Sequence, residues 1–557
     1  MYITLGTFIT PNALFVPKAS FEAQAFARGR LDGRWHPAVT RIALRGNRAL
    51  RQQQVARRSA SRWFMGFHDE CGVVGVMTPL HKPASDVPAR LAYFALHALQ
   101  HRGQEGAGIV LWEPDSSDAQ VSTKGQLREI KGLGLVSEVF TDAILGASRA
   151  VAALGHVRYS TAGEKNIRNV QPFTVKMRHG QIAIAHNGNL TNAEALKREL
   201  EARGTIFNTS SDTEVILHLM AQSVQGGSAD ARTRLTDALG RVDGAYSLCV
   251  LTAGQLIAVR DPRGFRPLML GRISETSPAT TTGSPPDASM TTWIICSESC
   301  ALDMVGAETV REIEPGELVV IDRASGNLQS FFPFPRQQRR ACIFEHIYFS
   351  KVTSNVFGRS VYLSRFRFGE LLAQAAPVEK GADYVVPVPD SGIAAALGFS
   401  AASGIPFQMG ISRSHYVGRT FIQPTQEIRN AGVMLKLTAV RSLIEGKRVV
   451  VVDDSIVRGT TSRKIVHMLR EAGASEIHLR IACPPIIGSC YYGVDTPNRE
   501  ELLSWRIPDS HKACEWIGAD SLGFLSLESL RSFLADESGD YCYGCFNGQY
   551  PVLPVDA

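Results

Sequence analysis

The stretch VVVVDDSIVRGTTS, residues 449–462, sets four valines against two aspartates and then a short polar run with one glycine. Four β-branched residues in succession read as a strand buried on both faces, as in the middle of a parallel sheet. Asp453 and Asp454 then fall at the C-terminal end of that strand, the edge at which open α/β sheets bind ligands. Paired carboxylates there can accept hydrogen bonds from sugar hydroxyls and face a hydrated Mg²⁺, which prefers oxygen ligands. Ser455, Gly459, Thr460 and Thr461 bring hydroxyls and backbone N–H groups to the start of a helix, RKIVHMLREAGA, an arrangement suited to a phosphate. "DD" alone equally describes an acidic turn closed by a threonine cap. The whole string, in this order, favours a ligand site.

Working outward, ADYVVPVPDSG (382–392) leads into IAAALGFSAASG in the same strand–turn–helix grammar. Apolar strands alternating with helices predict a doubly wound parallel sheet. Upstream, FFPFPRQQRR (331–340) reads as a connector. Before it, QIAIAHNG, GAYSLCVL, QLIAVRDPRG, LMLGRI, TWIICSES and GELVVID are short β signals closed by turn residues. Helical patterns intervene at RLAYFALHALQHRG, NAEALKRELEARG and SDTEVILHLMAQSV, so this half predicts an α+β layered domain. The Ser/Thr/Pro-rich stretch 274–292 reads as a surface insertion without chemistry. A chain of 557 residues exceeds what one core supports, so at least two domains are expected.

The 449–462 string resembles the phosphoribosyl pyrophosphate loop of type I phosphoribosyltransferases. VPDSG (388–392) resembles their pyrophosphate loop, which places Ser391 near the metal. YVGRTFIQPTQ (416–426) resembles the loop that closes over substrate in the glutamine phosphoribosylpyrophosphate amidotransferase family, and the likeness extends over residues 67–551. One departure precedes Tyr416, where Ser412 to His415 replace a Lys-Asn-Arg run and leave Arg413 and His415 to supply positive charge. The resemblance implies three segments. Residues 1–70 are a leader or propeptide. Residues 71–335 are a type 2 glutamine amidotransferase domain with the αββα sandwich of N-terminal nucleophile hydrolases. Residues 336–557 are an α/β type I phosphoribosyltransferase domain with a C-terminal cluster-binding segment.

Cys71, in FHDECGVVGV, is read alone as readily as a buried structural thiol as a nucleophile. In the family the chain is cleaved before such a cysteine. Its α-amino group, with a pKa near 8, then takes the thiol proton at short range. The resemblance carries further roles onto the companion strings. Arg158 in LGHVRYSTAG grips the glutamine α-carboxylate, Asn187 and Gly188 in AHNGNL form the oxyanion hole, and Asp212 in NTSSDTEV receives the substrate ammonium. Singly these residues also describe a surface arginine, an Asn-Gly turn and a helix cap.

Ten cysteines are too sparse for a disulfide scaffold in a chain of this length. The pair Cys542-x-x-Cys545 is by itself open between zinc, a redox pair and an iron–sulfur cluster. The family resemblance implies that Cys342, Cys490, Cys542 and Cys545 hold one [4Fe–4S] cluster, alongside one Mg²⁺ at Ser391, Asp453 and Asp454. It further implies glutamine and phosphoribosyl pyrophosphate as substrates, purine nucleotides as feedback inhibitors and a homotetramer. The expected activity is synthesis of 5-phosphoribosylamine, the first committed step of purine (IMP) synthesis. Another glutamine-dependent amidotransferase and a phosphoribosyl-pyrophosphate-sensing regulator are the alternatives.

The formal charge of +6 does not signal nucleic-acid binding. Residues 1–64 hold 11 Lys and Arg against Glu22 and Asp32, a net +9, which leaves the body at −3. The leader reads either as residues ahead of a true start at Met65, with a cytoplasmic enzyme, or as an organellar transit peptide. No apolar run reaches the length of a membrane span.

Overall fold

The first strand, Asp69–Met77, decides the layering of the N-terminal half in this computed structural model. Side chains alternate across a strand. Val74 and Val76 enter one apolar cluster beneath the helices Val87–Ala98 and Ser299–Met304, whereas Val73 and Met77 enter another built only from strands and turns. That inner cluster lies between two layers of strands. Leu251, Leu256, Ala258, Val319 and Ile321 meet Val110, Leu154 and Ile295 there. Their sequence neighbours Leu248, Val250, Ile257, Val259 and Val320 point outward beneath the helices Ala193–Ala202, Thr213–Ala221 and Ala231–Leu239. The result is the helix–strand–strand–helix sandwich expected from sequence, antiparallel throughout among the described residues. Asp69 is the branch point, since its backbone pairs with both Ser160 and Gly188.

The described residues are 69–555, less 116–123, 161–165, 179, 224–229, 275–289 and 415–436. The leader 1–64, most of the 274–292 insertion and the closing loop 416–426 lie outside them.

In the C-terminal half the strands Tyr384–Pro387, Arg448–Asp453, Glu476–Ile481 and Ser521–Phe524 pair in parallel, in that order. Val449, Val450, Val451 and Val452 are all fully buried, as a strand covered on both faces requires. The helices Ile393–Ser403 and Thr460–Glu471 pack against this sheet. Between the halves, residues 332–340 carry no regular element. Ala341–Cys342 then pairs in parallel with Tyr541–Cys542, so the end of the chain closes on the connector.

Residues 66–557 form one compact unit, in which the two halves pack closely together. The apolar core of the C-terminal half takes in Ala245 and Phe265 of the N-terminal half, and Phe265 stacks on Tyr492 with ring centroids 4.1 Å apart. A buried ion network completes the joint. Arg102 of the N-terminal half bonds to both Glu298 and Glu345, and Arg266 reaches Glu345 at 2.9 Å. All four side chains are fully buried. Ser354 Oγ and the Lys351 N–H donate to Glu298 Oε2 at 2.6 and 2.9 Å, and the Ser350 hydroxyl donates to Glu345. Burial alone would raise the Glu298 pKa, but Arg102 and His101 hold it well below the ordinary carboxylate range. Both guanidinium groups lie over the Phe349 ring, at 4.6 and 5.4 Å.

Removing one partner of such a network strands the others, at a cost of about 3–5 kcal/mol. Arg102→Met should therefore lower the unfolding free energy by about that amount, measured by urea denaturation at neutral pH. A loss below about 1 kcal/mol would mean that the network does not hold the two halves together.

Candidate functional site

The sandwich places the N-terminal site residues at one end of its central strands. Cys71 is fully buried, and its backbone registers against Arg158 on the neighbouring strand Ala152–Ser160. On the other side, the strand Gly180–Leu190 brings Asn187 and Gly188 to the same level, since Gly188 registers with Asp69. Asn187 is fully buried, and among the described residues neither Nδ2 nor Oδ1 has a hydrogen-bond partner. An uncompensated buried amide is costly unless something else comes to meet it. Gly188 has φ +152°, and a Cβ there would stand 2.1 Å from the Ala245 carbonyl oxygen. Only glycine fits.

Asp212 stands at the start of the helix Thr213–Ala221 and is nearly buried. Its carboxylate accepts the Leu190 N–H at 2.9 Å and the Thr213 hydroxyl at 3.2 Å. Burial would raise its pKa, but the adjacent His186, 3.5 Å away, and these donors bring it below the ordinary value. Asp212 is thus kept ionised and tied to the strand that carries Asn187 and Gly188. Arg158 is also nearly buried, so a carboxylate reaching it would be held away from water.

In the other half, Asp453 ends the strand Arg448–Asp453, Asp454 follows it, and both are nearly buried. The pKa of Asp453 is pushed well up by burial and then by the charge of Asp454. Asp454 is also raised by burial, against the opposing effects of hydrogen bonds from Ser391 and Ser455 and the charge of Arg365. Ser391, from the loop after Tyr384–Pro387, is therefore brought to the aspartate pair. Gly459 has φ +77° and opens the helix Thr460–Glu471, so Thr460 and Thr461 occupy its first turn, where backbone N–H groups await an anion.

The four late cysteines converge. Cys342 registers with Cys542, and the Cys545 carbonyl accepts the N–H groups of Ile487 and Gly488 beside Cys490. Burial pushes the Cys342 thiol up to about 12, and burial raises Cys542 and Cys545 further, with the neighbouring cysteines adding to each shift. Yet among the described residues no group of three or more His, Cys, Asp or Glu side chains is arranged to hold a metal ion. Cys342, Cys490, Cys542 and Cys545, the [4Fe–4S] ligands that the family resemblance implies, are not found as such a group among the described residues.

Sequence reasoning overlooked Arg102, Arg266, Glu298, Glu345, Arg365 and Asn189. Arg365 donates to the carbonyls of His346, Tyr348 and Ser350 at 2.7–3.0 Å, and its charge lies near Asp454. The available signal was a lone acid inside an apolar run, Glu298 in IICSESCAL and Glu345 in CIFEHIYF. A buried acid requires a buried base.

Two family models match the chain: a glutamine amidotransferase domain over residues 156–284 and a phosphoribosyl transferase domain over residues 370–489. Amidophosphoribosyltransferase 1, chloroplastic, of Arabidopsis thaliana is 52% identical over 488 residues, covering 88% of this chain and 80% of the relative. The chain belongs to the amidophosphoribosyltransferase family. The family member of Bacillus subtilis is 43% identical and covers 87% of this chain and 95% of its own. The solved B. subtilis glutamine phosphoribosylpyrophosphate amidotransferase, complexed with ADP and GMP, superposes with a TM-score of 0.74 at 42% identity, covering 87% of this chain and 99% of its own. A solved allosteric regulatory enzyme of purine biosynthesis superposes with a TM-score of 0.75 at 43% identity, covering 87% and 98%. The two family-model matches contain Arg158, Asn187, Gly188 and Asp212 in the first range and Ser391 and Asp453–Thr461 in the second. Cys71 and the four late cysteines fall outside both ranges.

Proposed function

We propose that this member of the amidophosphoribosyltransferase family makes 5-phosphoribosylamine from phosphoribosyl pyrophosphate and ammonia released from glutamine. The observation that carries the reading is the buried grouping of Cys71, Arg158, Asn187 and Gly188, with an amide on Asn187 that no partner among the described residues satisfies. In this reading Arg158 takes the glutamine α-carboxylate and the ionised Asp212 takes its α-ammonium. The Cys71 thiol gives its proton to its own α-amino group, and the sulfur attacks the side-chain amide carbon. Negative charge then forms on the amide oxygen, where Asn187 Nδ2 and the Gly188 N–H would meet it. Collapse breaks the carbon–nitrogen bond, the nitrogen leaves with the transferred proton as ammonia, and water hydrolyses the thioester to glutamate and free Cys71.

The α-amino group exists only after cleavage before Cys71. In the uncleaved chain Asp69 registers with Gly188 and would obstruct the oxyanion position, so removal of the propeptide supplies the base and clears the pocket together. In the second site Asp453 and Asp454 accept the ribose hydroxyls, and Ser455, Gly459, Thr460 and Thr461 cradle the 5-phosphate. Ammonia forms its bond to C1 as the bond to pyrophosphate breaks. Ser391, Asp453 and Asp454 fit a hydrated Mg²⁺, because two buried carboxylates that disfavour each other's charge are eased by a cation. When bound, that ion supplies neutralisation of the pyrophosphate charge.

The donor chemistry of Cys342, Cys490, Cys542 and Cys545 suits one [4Fe–4S] cluster, whose role is to tie the C-terminal segment to the connector. Purine nucleotides are the proposed feedback inhibitors and a homotetramer the proposed assembly. The Arg-rich, acid-poor leader, together with plant relatives that are named chloroplastic, favours an organellar transit peptide over a cytoplasmic start at Met65.

Cys71→Ala should abolish glutamine-dependent synthesis while leaving synthesis from free ammonia within about twofold. N-terminal sequencing of the active enzyme should begin at Cys71. A residue earlier than 71 in fully active enzyme, or loss of both activities in folded Cys71→Ala, would overturn the assignment. Asp454→Asn should weaken phosphoribosyl pyrophosphate use about tenfold or more and spare basal glutamine hydrolysis, consistent with about 1.5–3 kcal/mol for one charge-assisted contact. Unchanged transferase kinetics would refute its role. Anaerobically prepared enzyme should contain about four iron atoms per chain and lose them in air. Stoichiometric zinc without iron would reject the cluster.

A further inference from the structure

The oxyanion residues of the N-terminal half are backed by a loop of the C-terminal half. Tyr491, Tyr492 and Gly493 run directly behind the strand that carries Asn187 and Gly188. The Asn189 side chain donates its Nδ2–H to the Tyr491 carbonyl at 2.9 Å. Arg266 donates Nε–H to the Tyr492 carbonyl at 3.0 Å while its Nη1 is held by Glu345 at 2.9 Å. Gly493, at φ +89°, comes so near that a Cβ on it would stand 2.9 Å from the Gly188 carbonyl carbon and 3.0 Å from its oxygen.

The loop itself is stiff. The Tyr492 hydroxyl donates to the Val552 carbonyl at 2.6 Å and accepts the Val552 N–H at 2.8 Å, and its ring lies stacked on Phe265. The Tyr492 N–H donates to Cys490 Sγ at 3.3 Å, and the Cys490 N–H donates to Thr496 Oγ1 at 2.6 Å. Gly188 is held in the sheet by its register with Tyr246, but glycine is the most conformationally free residue, so its φ of +152° also depends on what packs around it. On one side stands the Ala245 carbonyl and on the other Gly493.

We infer that Tyr491–Gly493 is a positioning element of the glutaminase site, supplied by the transferase half, which holds Gly188 from its Cα and carbonyl side so that its N–H meets the developing oxyanion. The inference rests on the assignment of Asn187 and Gly188 as the oxyanion hole. A group that acts on the oxyanion is felt in the transition state and not in the bound substrate. Displacing the Gly188 peptide should therefore lower the glutaminase kcat with little change in the glutamine KM. It should leave ammonia-dependent synthesis alone, because the loop touches none of Ser391, Asp453, Asp454 or Ser455 among the contacts described.

Gly493→Ala in the full-length, processed enzyme provides the test. The expected result is a fall of about 10–100-fold in glutaminase kcat, as a misplacement near 1 Å produces. The glutamine KM should stay within about threefold and ammonia-dependent synthesis within about twofold. Asn189→Ala, which removes the anchor to Tyr491 without adding bulk, should give the same split more weakly, and it keeps the test open if Gly493→Ala does not fold. Unchanged glutaminase kcat in both variants would overturn the inference, as would an equal loss of glutamine-dependent and ammonia-dependent synthesis. Cys71→Ala, assayed in parallel, separates this from the site assignment. If it keeps glutaminase activity, the assignment fails; if it loses activity while Gly493→Ala and Asn189→Ala do not, only the positioning role fails.

Discussion

Two guanidinium groups and two carboxylates, all without solvent contact, stand where the halves of this chain meet. Burying any one of these charges alone would be prohibitive, so each requires its partners in place. Arg102, Arg266 and Glu298 come from the N-terminal half, and Glu345 comes from the first residues after the connector. The network therefore closes only when the two halves adopt one relative placement. Apolar contact such as Phe265 on Tyr492 supplies area, but area alone tolerates sliding. Charges that must be satisfied in a fixed geometry do not.

That fixed placement brings the two sites into one structure. Arg365, near Asp454, holds the Ser350 carbonyl; the Ser350 hydroxyl bonds to Glu345; Glu345 holds Arg266; and Arg266 holds the Tyr492 carbonyl behind Gly188. Every link is a hydrogen bond or ion pair between buried groups, apart from the longer-range attraction between Arg365 and Asp454. A loop of the second half thus lies against the strand that carries Asn187 and Gly188. This placement suits an enzyme whose first reaction makes a diffusible product for the second.

The two proposed sites solve opposite electrostatic problems. The glutamine site keeps Asp212 ionised by tying it to His186 and to backbone and hydroxyl donors. The phosphoribosyl site leaves Asp453 and Asp454 with raised pKa values, because burial and mutual repulsion exceed what their donors return. A carboxylate of the first kind is ready for a substrate ammonium. A pair of the second kind is incomplete until hydroxyls or a cation arrive. The late cysteines are likewise thiols raised by burial and by one another.

Much of this was legible in the residues themselves. Four consecutive valines, β-branched and bounded by polar residues, read as a strand covered on both faces, and the structure buries all four. The aspartates behind them must then sit at the sheet edge, and a glycine that opens a helix at positive φ leaves N–H groups facing outward. Short β signals such as GAYSLCVL grouped with helical patterns likewise point to an α+β layered domain, whose helix–strand–strand–helix sandwich the family resemblance implied. What the sequence by itself determined was therefore whatever depends on neighbours along the chain: elements, their faces, and motifs carried on one turn. Only the tertiary structure decided that Glu298 and Glu345 face Arg102, that the Asp69 backbone lies against Gly188, and that Gly493 abuts the same glycine from the far half. Those partners lie between about 119 and 305 residues apart, and nothing local distinguishes a glutamate destined for burial from one left in water. The difference is made by desolvation, which acts only once the halves have closed.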